Sequence, residues 1–449
     1  MSNISRVKIS ALGKTITGKT PSSNNPEDFG SDYMFVTPSD SFDKKMMNLT
    51  ERYLSEEGVQ KLSSKLLPPN SIMVTCIGSA MGKVSMNETS CVTNQQINSI
   101  VPNNNFDPHY IYYTIKNNYK VLRNAATGST AVPLLNKTDF DILELLIHKD
   151  LPTQKSIAKV LSDLDAKIEL NNKINRELEA MAKTLYDYWF VQFDFPNADG
   201  KPYKSSGGKM VYNAELKREI PEGWEVKTIS KWIKKDKSGD WGKEEAEGNY
   251  QLEVSCIRGA DLNGLNGNGE LKAPTRFILE KNSNKLLENH DLIVEISGGS
   301  PTQSTGRLAF ITEETLERFT TPIICSNFCK ALTLKDETYL FNFVYQWNRL
   351  YDNGSLFGWE GKTSGIKNLL FESFVTNHKE VYPPSNLANK FYDFAKPIHG
   401  QIQKNLMQNQ HLTALRDWLL PMLMNGQVRV KEAEERLSMA AEPSVKYGN

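Results

Sequence analysis

"IAKVLSDLDAKIELNNKINRELEAMAKTLYDYW" (157–189) and "FYDFAKPIHGQIQKNLMQNQHLTALRDWLLPML" (391–423) align without a gap, 234 positions apart. In the first, steps of four and three residues select Ile157, Leu161, Leu164, Ile168, Asn171, Asn175, Leu178, Ala182, Leu185 and Trp189. In the second they select Phe391, Ala395, Ile398, Ile402, Asn405, Asn409, Leu412, Arg416, Leu419 and Leu423. This is the 3.5-residue period of a coiled-coil seam. The competing reading is two unrelated amphipathic helices, each packed on its own domain. The shared period, spacing and paired asparagine interruptions favour an internal duplication. Pro397 falls inside the second copy, where the first has Asp163. It removes a backbone donor and should start or kink the helix there, leaving the two helices unequal.

The asparagines carry a sharper expectation. The first seam has its midpoint at 173, between Asn171 and Asn175, and the second at 407, between Asn405 and Asn409. An antiparallel pairing puts Asn171 level with Asn409 and Asn175 with Asn405. A buried amide is costly alone, whereas facing amides satisfy each other. Slipping one helix by a heptad would strand each against leucine or isoleucine, so these four residues are expected to set orientation and register.

The segments before each helix also match. "NSIMVTCIGSAMGKVSM" pairs with "NHDLIVEISGGSPTQSTGRLAFI", "SCVTNQQINSIVP" with "IICSNFCKALTLK", and "FDPHYIYYTIK" with "LFNFVYQWNRL". "ATGSTAVPLLNKTDF" similarly pairs with "KTSGIKNLLFESF". Each half reads as a mixed α/β domain followed by a long helix, an α+β architecture with a pseudo-two-fold internal repeat. The expected divisions are a first domain over 1–150, a helix over 151–190, a Gly/Pro/Ser/Lys-rich connector over 191–220, a second domain over 221–382, a second helix over 383–430, and a polar tail over 431–449.

At 449 residues with a 39% hydrophobic fraction, the chain has material for several cores. No apolar run approaches bilayer-spanning length, and "MSNISRVKIS" lacks a signal-peptide core, so a cytoplasmic location is expected. Five cysteines are an odd number, thinly spread. They suit reduced thiols, and Cys325 and Cys329, with no histidine nearby, suit burial rather than zinc. The formal net charge is zero. A neutral chain neither demands nor excludes nucleic acid.

Gly13–Thr20, "GKTITGKT", satisfies the phosphate-loop pattern G-x-x-x-x-G-K-[ST]. A working phosphate loop opens a helix. Here Pro21-Ser22-Ser23-Asn24-Asn25-Pro26 follows, a turn-forming run, and the second half has no G-K-[ST] at the matching place, "TISKWIKKDKSGDW". The stretch reads better as a flexible, basic, hydroxyl-rich loop suited to a polynucleotide backbone. No H-E-x-x-H, G-x-S-x-G or His-paired nucleophile occurs. Duplication without catalytic motifs favours a binding module, with a nucleotide hydrolase and a DNA-free coiled-coil scaffold as the alternatives.

"LPTQKSIAKVLSDLDAKIELNNKI", "LEAMAKTLYDYWFVQFDFP" and "LRDWLLPMLMNGQVRV" resemble the spacer regions of specificity subunits of type I restriction–modification enzymes. "TGKTPS", "TNQQINSIVP" and "IPEGWE" resemble stretches of their target-recognition domains. The resemblance implies two target-recognition domains, each reading one half of a bipartite DNA sequence. It implies antiparallel helices that hold them apart and dock two methyltransferase subunits, joined by two motor-nuclease subunits. The chain itself would be non-catalytic and hold no cofactor or metal. S-adenosylmethionine, ATP and Mg would belong to partners, which would supply adenine methylation and ATP-dependent cleavage.

Contacts to DNA need donors on phosphates and side chains at base edges. The repeated Gly/Ser/Thr turns supply the candidates. In the first domain these are Lys14, Lys19, Thr20, Ser79, Lys83, Thr127, Ser129 and Thr130. In the second they are Ser297, Ser300, Thr302, Gln303, Arg307, Lys362, Thr363, Ser364 and Lys367.

Overall fold

The computed structural model describes residues 4–78, 81–126, 134–298, 302–363 and 366–433. The chain divides into two compact units, one of Met1–Glu169 with Gln410–Asn449, the other of Leu170–Asn409.

In the first unit, the fully buried strand Ile72–Thr75 lies inside a five-stranded sheet. The order is Gly13–Thr17, Ile97–Pro102, Ile72–Thr75, Val84–Asn87, Met46–Met47, antiparallel except for the last pair. Burial on both faces is why "IMVT" shows no polar alternation. A three-stranded sheet places Phe29–Val36 between Tyr53–Leu54 and Cys91–Thr93, parallel to the latter. Ile4–Lys8 pairs antiparallel with Glu144–His148. Helix Pro108–Asn117 starts at Asp107, whose carboxylate accepts from Tyr110 N–H at 2.9 Å, with proline in the first turn. It buries Tyr110, Ile111, Tyr112, Tyr113 and Ile115.

The second unit repeats this plan. Its four-stranded sheet runs Ile233–Ser238, Cys329–Leu334, Asp291–Glu295, Leu308–Phe310, all antiparallel. Tyr250–Ile257 lies between Thr275–Leu279 and Ile323–Cys325, again parallel to the latter. Glu225–Thr228 pairs antiparallel with Lys379–Tyr382. Helix Leu340–Asp352 is the aromatic counterpart of Pro108–Asn117, burying Phe341, Phe343, Tyr345 and Trp347. Even a turn glycine recurs. A Cβ on Gly18 would lie 2.1 Å from the Thr93 carbonyl oxygen, and one on Gly239 would lie 2.0 Å from that of Ser326.

Two long helices complete the fold: Leu151–Tyr186, of 36 residues, and Ser385–Met424, of 40. Their halves pair antiparallel within each unit. In the first, Ile157, Leu161 and Leu164 share a core with Leu412, Leu419, Leu423 and the domain's Tyr110 and Phe140. In the second, Ala182 and Tyr186 share one with Phe391, Ala395, Ile398 and Ile402. The chain is thus an α+β duplication with two similar mixed domains and a long antiparallel helix pair. Among the described residues, no helix is long and apolar enough to cross a membrane.

Three expectations need correction. The second helix does not start at Pro397; it begins at Ser385 and runs through the proline. An interior proline costs about 3 kcal/mol, and the burial of Leu387, Ala388, Phe391, Tyr392 and Ala395 on the preceding turns offsets it. Gly13–Thr20 is not a flexible loop as far as Thr17, because Gly13–Thr17 is a sheet strand with Thr15 and Ile16 buried. The polar tail does not begin at 431, since residues 430–433 are helical and Ala433 is buried in the first unit's core; residues 434–449 lie outside the described residues. Within 191–220 the chain is also more ordered than a plain connector. Phe195 stacks between Tyr203 and Trp224, and Met210–Asn213 forms a hairpin with Arg218–Pro221.

Candidate nucleic-acid interface and helix seam

In the first unit, three turns converge at one end of the large sheet. Lys14 is exposed on its strand. At the strand's end the Gly18–Thr20 turn docks on the 93–96 segment: Lys19 N–H donates to Thr93 O at 2.9 Å, and the Thr20 hydroxyl donates to Gln95 Oε1 at 2.6 Å. The 93–96 segment in turn accepts Cys76 N–H at Gln96 O, 2.9 Å. Lys83, exposed beside Gly82, reaches Asp43 at 3.4 Å. No helix opens at Thr20, so the backbone lacks the geometry of a phosphate loop. Gln95, exposed beside Thr20, stands in "TNQQINSIVP" as an amide able to reach a base edge, whereas the first domain's candidates comprise lysine, serine and threonine alone. Ser79, Thr127, Ser129 and Thr130 lie outside the described residues.

In the second unit, Ser297 and Gly298 pair with Asn368 and Lys367, and the Ser297 hydroxyl donates to Asn368 Oδ1. Thr302 and Gln303 are exposed beside them. Arg307 and Lys367 have their charges committed within the unit. Arg307 forms a two-point contact with buried Glu295 at 2.9 and 2.6 Å, and this carboxylate holds the guanidinium pKa above its ordinary value. Lys367 meets Glu360 at 3.2 Å. Releasing either to a phosphate would leave a shielded carboxylate unpaired, so both fit a turn-stiffening part better than direct contact. Lys362 and Thr363 lie on the strand Glu360–Thr363; Ser300 and Ser364 lie outside the described residues.

The seam asparagines all fall in the second unit. Asn171 Nδ2 donates to Asn409 Oδ1 at 2.9 Å and to Gln408 Oε1 at 2.8 Å, and Asn409 Nδ2 donates to Asn172 Oδ1 at 2.8 Å. Asn405 Nδ2 donates to Asn175 Oδ1 at 2.7 Å and accepts from Gln401 at 2.9 Å. Asn175 Nδ2 is buried without a partner.

Each domain is fastened to the helices through a tyrosine of its aromatic helix. The Tyr113 hydroxyl donates to Asp165 at 2.5 Å, and Asp165 accepts from Arg416 at 2.7 Å. In the second unit Tyr345 Oη lies 3.1 Å from Nε2 of His399, the residue matching Asp165 in the repeat. Burial pulls the His399 pKa down to about 3, so the ring is neutral. All five cysteines are buried, and burial raises their thiol pKa values.

Known proteins are similar to this chain in sequence and in fold. Residues 1–180 match the family model described as type I restriction modification DNA specificity domain. The type I restriction enzyme MjaIX specificity subunit of Methanocaldococcus jannaschii is 27% identical over 435 residues, covering 95% of this chain and 93% of its own. The HindI specificity subunit of Haemophilus influenzae is 37% identical over 140 residues, covering 31% of this chain and 30% of its own. In fold, the chain is similar to the type I restriction–modification S subunit from M. genitalium, with a TM-score of 0.54, 16% identity, and coverage of 94% of this chain and 96% of that one. Residues 1–180 thus match a type I restriction modification DNA specificity domain, and over most of its length the chain is similar to the specificity subunits of type I restriction enzymes.

Proposed function

We propose that each domain reads one half of a bipartite DNA target and that the helix pair sets the gap between the halves. The observation that carries this reading is the repetition of one plan in the two units: a large, mainly antiparallel sheet, a three-stranded sheet with the same parallel pair, and the same crowded turn glycine. A duplicated reader has an obvious use on a ligand with two separated features. In the first domain, Lys14, Lys19 and Lys83 take phosphates, while Thr20 and Gln95 are placed for base edges. In the second, Ser297, Thr302 and Gln303 occupy the corresponding turns. Both domains are active readers in this account.

The seam asparagines fix the register of the helix pair, and through it the gap. One heptad is about 10 Å of helix. At about 3.4 Å per base pair, a heptad slip mis-sets the half-sites by about three base pairs. The helices also dock two methyltransferase subunits, and two motor-nuclease subunits complete the assembly. The chain performs no chemistry of its own; S-adenosylmethionine, ATP and Mg act in the partners, in the cytoplasm. A neutral chain has little excess charge for phosphate neutralisation. It therefore binds DNA weakly alone, and tightly with steeper salt dependence in the methyltransferase complex.

Co-purification with methyltransferase subunits, followed by mapping of methylated adenines in host DNA, tests the reading. The expected result is one gapped motif whose methylation disappears when this chain is removed. Methylation unchanged by its removal would overturn the proposal.

A further inference from the structure

The outer strand pair differs between the two units at one buried position. By register, Glu144 faces Lys8 in the first unit and Lys379 faces Thr228 in the second. The next residue is Leu145 in the first unit and Glu380 in the second, both buried. A carboxylate in a leucine's place is costly unless its charge is well matched. The match here is loose: Arg349 Nη2 and His378 Nε2 each lie 3.3 Å from Glu380. Arg307, in the same unit, shows what a satisfied guanidinium looks like, with two contacts of 2.9 and 2.6 Å on one carboxylate.

Donors are left over around Glu380. Arg349 Nε is buried without a hydrogen-bond partner. Arg218, on the hairpin strand Arg218–Pro221, is half-buried with its guanidinium 5.4 Å from the Phe193 ring centre. Among the described residues its side chain has no hydrogen bond or ion pair, and Glu380 is the carboxylate whose charge acts on it. Lys379 is already matched by Glu215. Arg218 and Arg349 line one cleft of about 480 Å³ with Trp359, Asn377 and His378. Once Lys379–Glu215 and Arg349–Glu380 cancel, the cleft holds one uncancelled positive charge and unused planar N–H donors, a combination that suits a tetrahedral or planar oxyanion.

We propose that this cleft binds a phosphate-sized oxyanion through Arg218 and Arg349. The chemistry has two sources, a free phosphate group or a phosphodiester of bound DNA. The DNA source rests on the reading above, whereas the free-phosphate source stands without it.

The test uses the full chain, wild type and Arg218→Gln, with inorganic phosphate titrated against chloride at constant ionic strength and followed by calorimetry. The same two proteins, in complex with methyltransferase subunits, are then titrated with duplex DNA over a salt series. Saturable phosphate heat that disappears in Arg218→Gln supports the site with a free anion as ligand. A salt slope lower by about 0.9 in Arg218→Gln, on target and unrelated duplexes alike, supports it with DNA as the source. Arg218→Lys, which keeps the charge, should retain part of either signal and guards against misfolding of the glutamine variant. No saturable phosphate heat in the wild type, together with an unchanged salt slope, overturns the proposal. If the wild-type complex shows no DNA binding at all, that failure belongs to the DNA reading, and the phosphate titration still decides the site.

Discussion

The two domains are each fastened to the helix pair through a tyrosine of the aromatic helix, but by different chemistry. In the first unit, Tyr113, Asp165 and Arg416 form a charged chain of 2.5 and 2.7 Å contacts, shielded from solvent. In the second, the repeat places His399 where Asp165 stands and Ala182 where Arg416 stands. His399 instead stacks on Phe341 at 4.6 Å and meets the edge of Phe310 at 4.9 Å. One backbone plan therefore tolerates either an ionic or an aromatic lock at its junction. What the duplication preserves is the place of the fastening on the long helix, at 165 in one copy and 399 in the other.

The largest effect is expected from breaking the ionic lock. Arg416→Leu leaves Asp165 shielded without its cation and should cost about 3 kcal/mol, read as a fall in the denaturation midpoint. Replacing both partners, Asp165→Leu with Arg416→Leu, should recover most of that loss, because a buried ion pair contributes little over well-packed apolar groups. A double variant as damaged as the single one would mean that Asp165 acts mainly through Tyr113.

The aromatic lock should show itself through pH. The folded state keeps His399 neutral down to about pH 3, whereas an unfolded histidine takes up a proton near pH 6.5. Between these values the unfolded state binds more protons, so this residue's share of stability is complete above pH 6.5 and declines as pH falls towards 3. The decline should approach about 1.4 kcal/mol per pH unit. His399→Gln should flatten the unfolding curve over that window by one proton, while Asp165 variants should not. An identical slope in wild type and His399→Gln would remove His399 from the account.

A smaller effect separates the two asparagine layers. Asn175 has an unpaired buried amide nitrogen, whereas the Asn171 layer is bonded on both sides. Asn175→Leu should be neutral or stabilising by about 1 kcal/mol, and Asn171→Leu should cost about as much. Leucine at all four positions should hold or raise the melting temperature while loosening the gap length tolerated in methylated sites. Unfolding of the quadruple variant, or retention of a strict gap, would take the register role from these residues.

Much of this was legible because it is written as periodicity. The 3.5-residue seam located both helices, and the asparagine spacing anticipated which residues face each other. The aromatic runs marked the helices Pro108–Asn117 and Leu340–Asp352, since apolar side chains crowd onto a buried helix in a way local pattern reveals. Pro397 misled because propensity is local, whereas the packing of Phe391 and Ala395 that overrides it is tertiary. Gly13–Thr17 was misread because its partner, Ile97–Pro102, lies far along the chain. The turns were located from Gly and Ser, but their charges could not be apportioned from sequence. Nothing local to Arg307 announces that Glu295 already holds it, and nothing local to Thr20 announces Gln95.

The central claim is that each domain reads its own half-site, and a domain exchange tests it most directly. Residues 1–150 would be replaced by the equivalent domain of a specificity subunit with a different target, and methylated adenines in host DNA would then be mapped. The account predicts a hybrid motif in which one half changes while the other half and the gap length persist. A motif altered in both halves at once would contradict it.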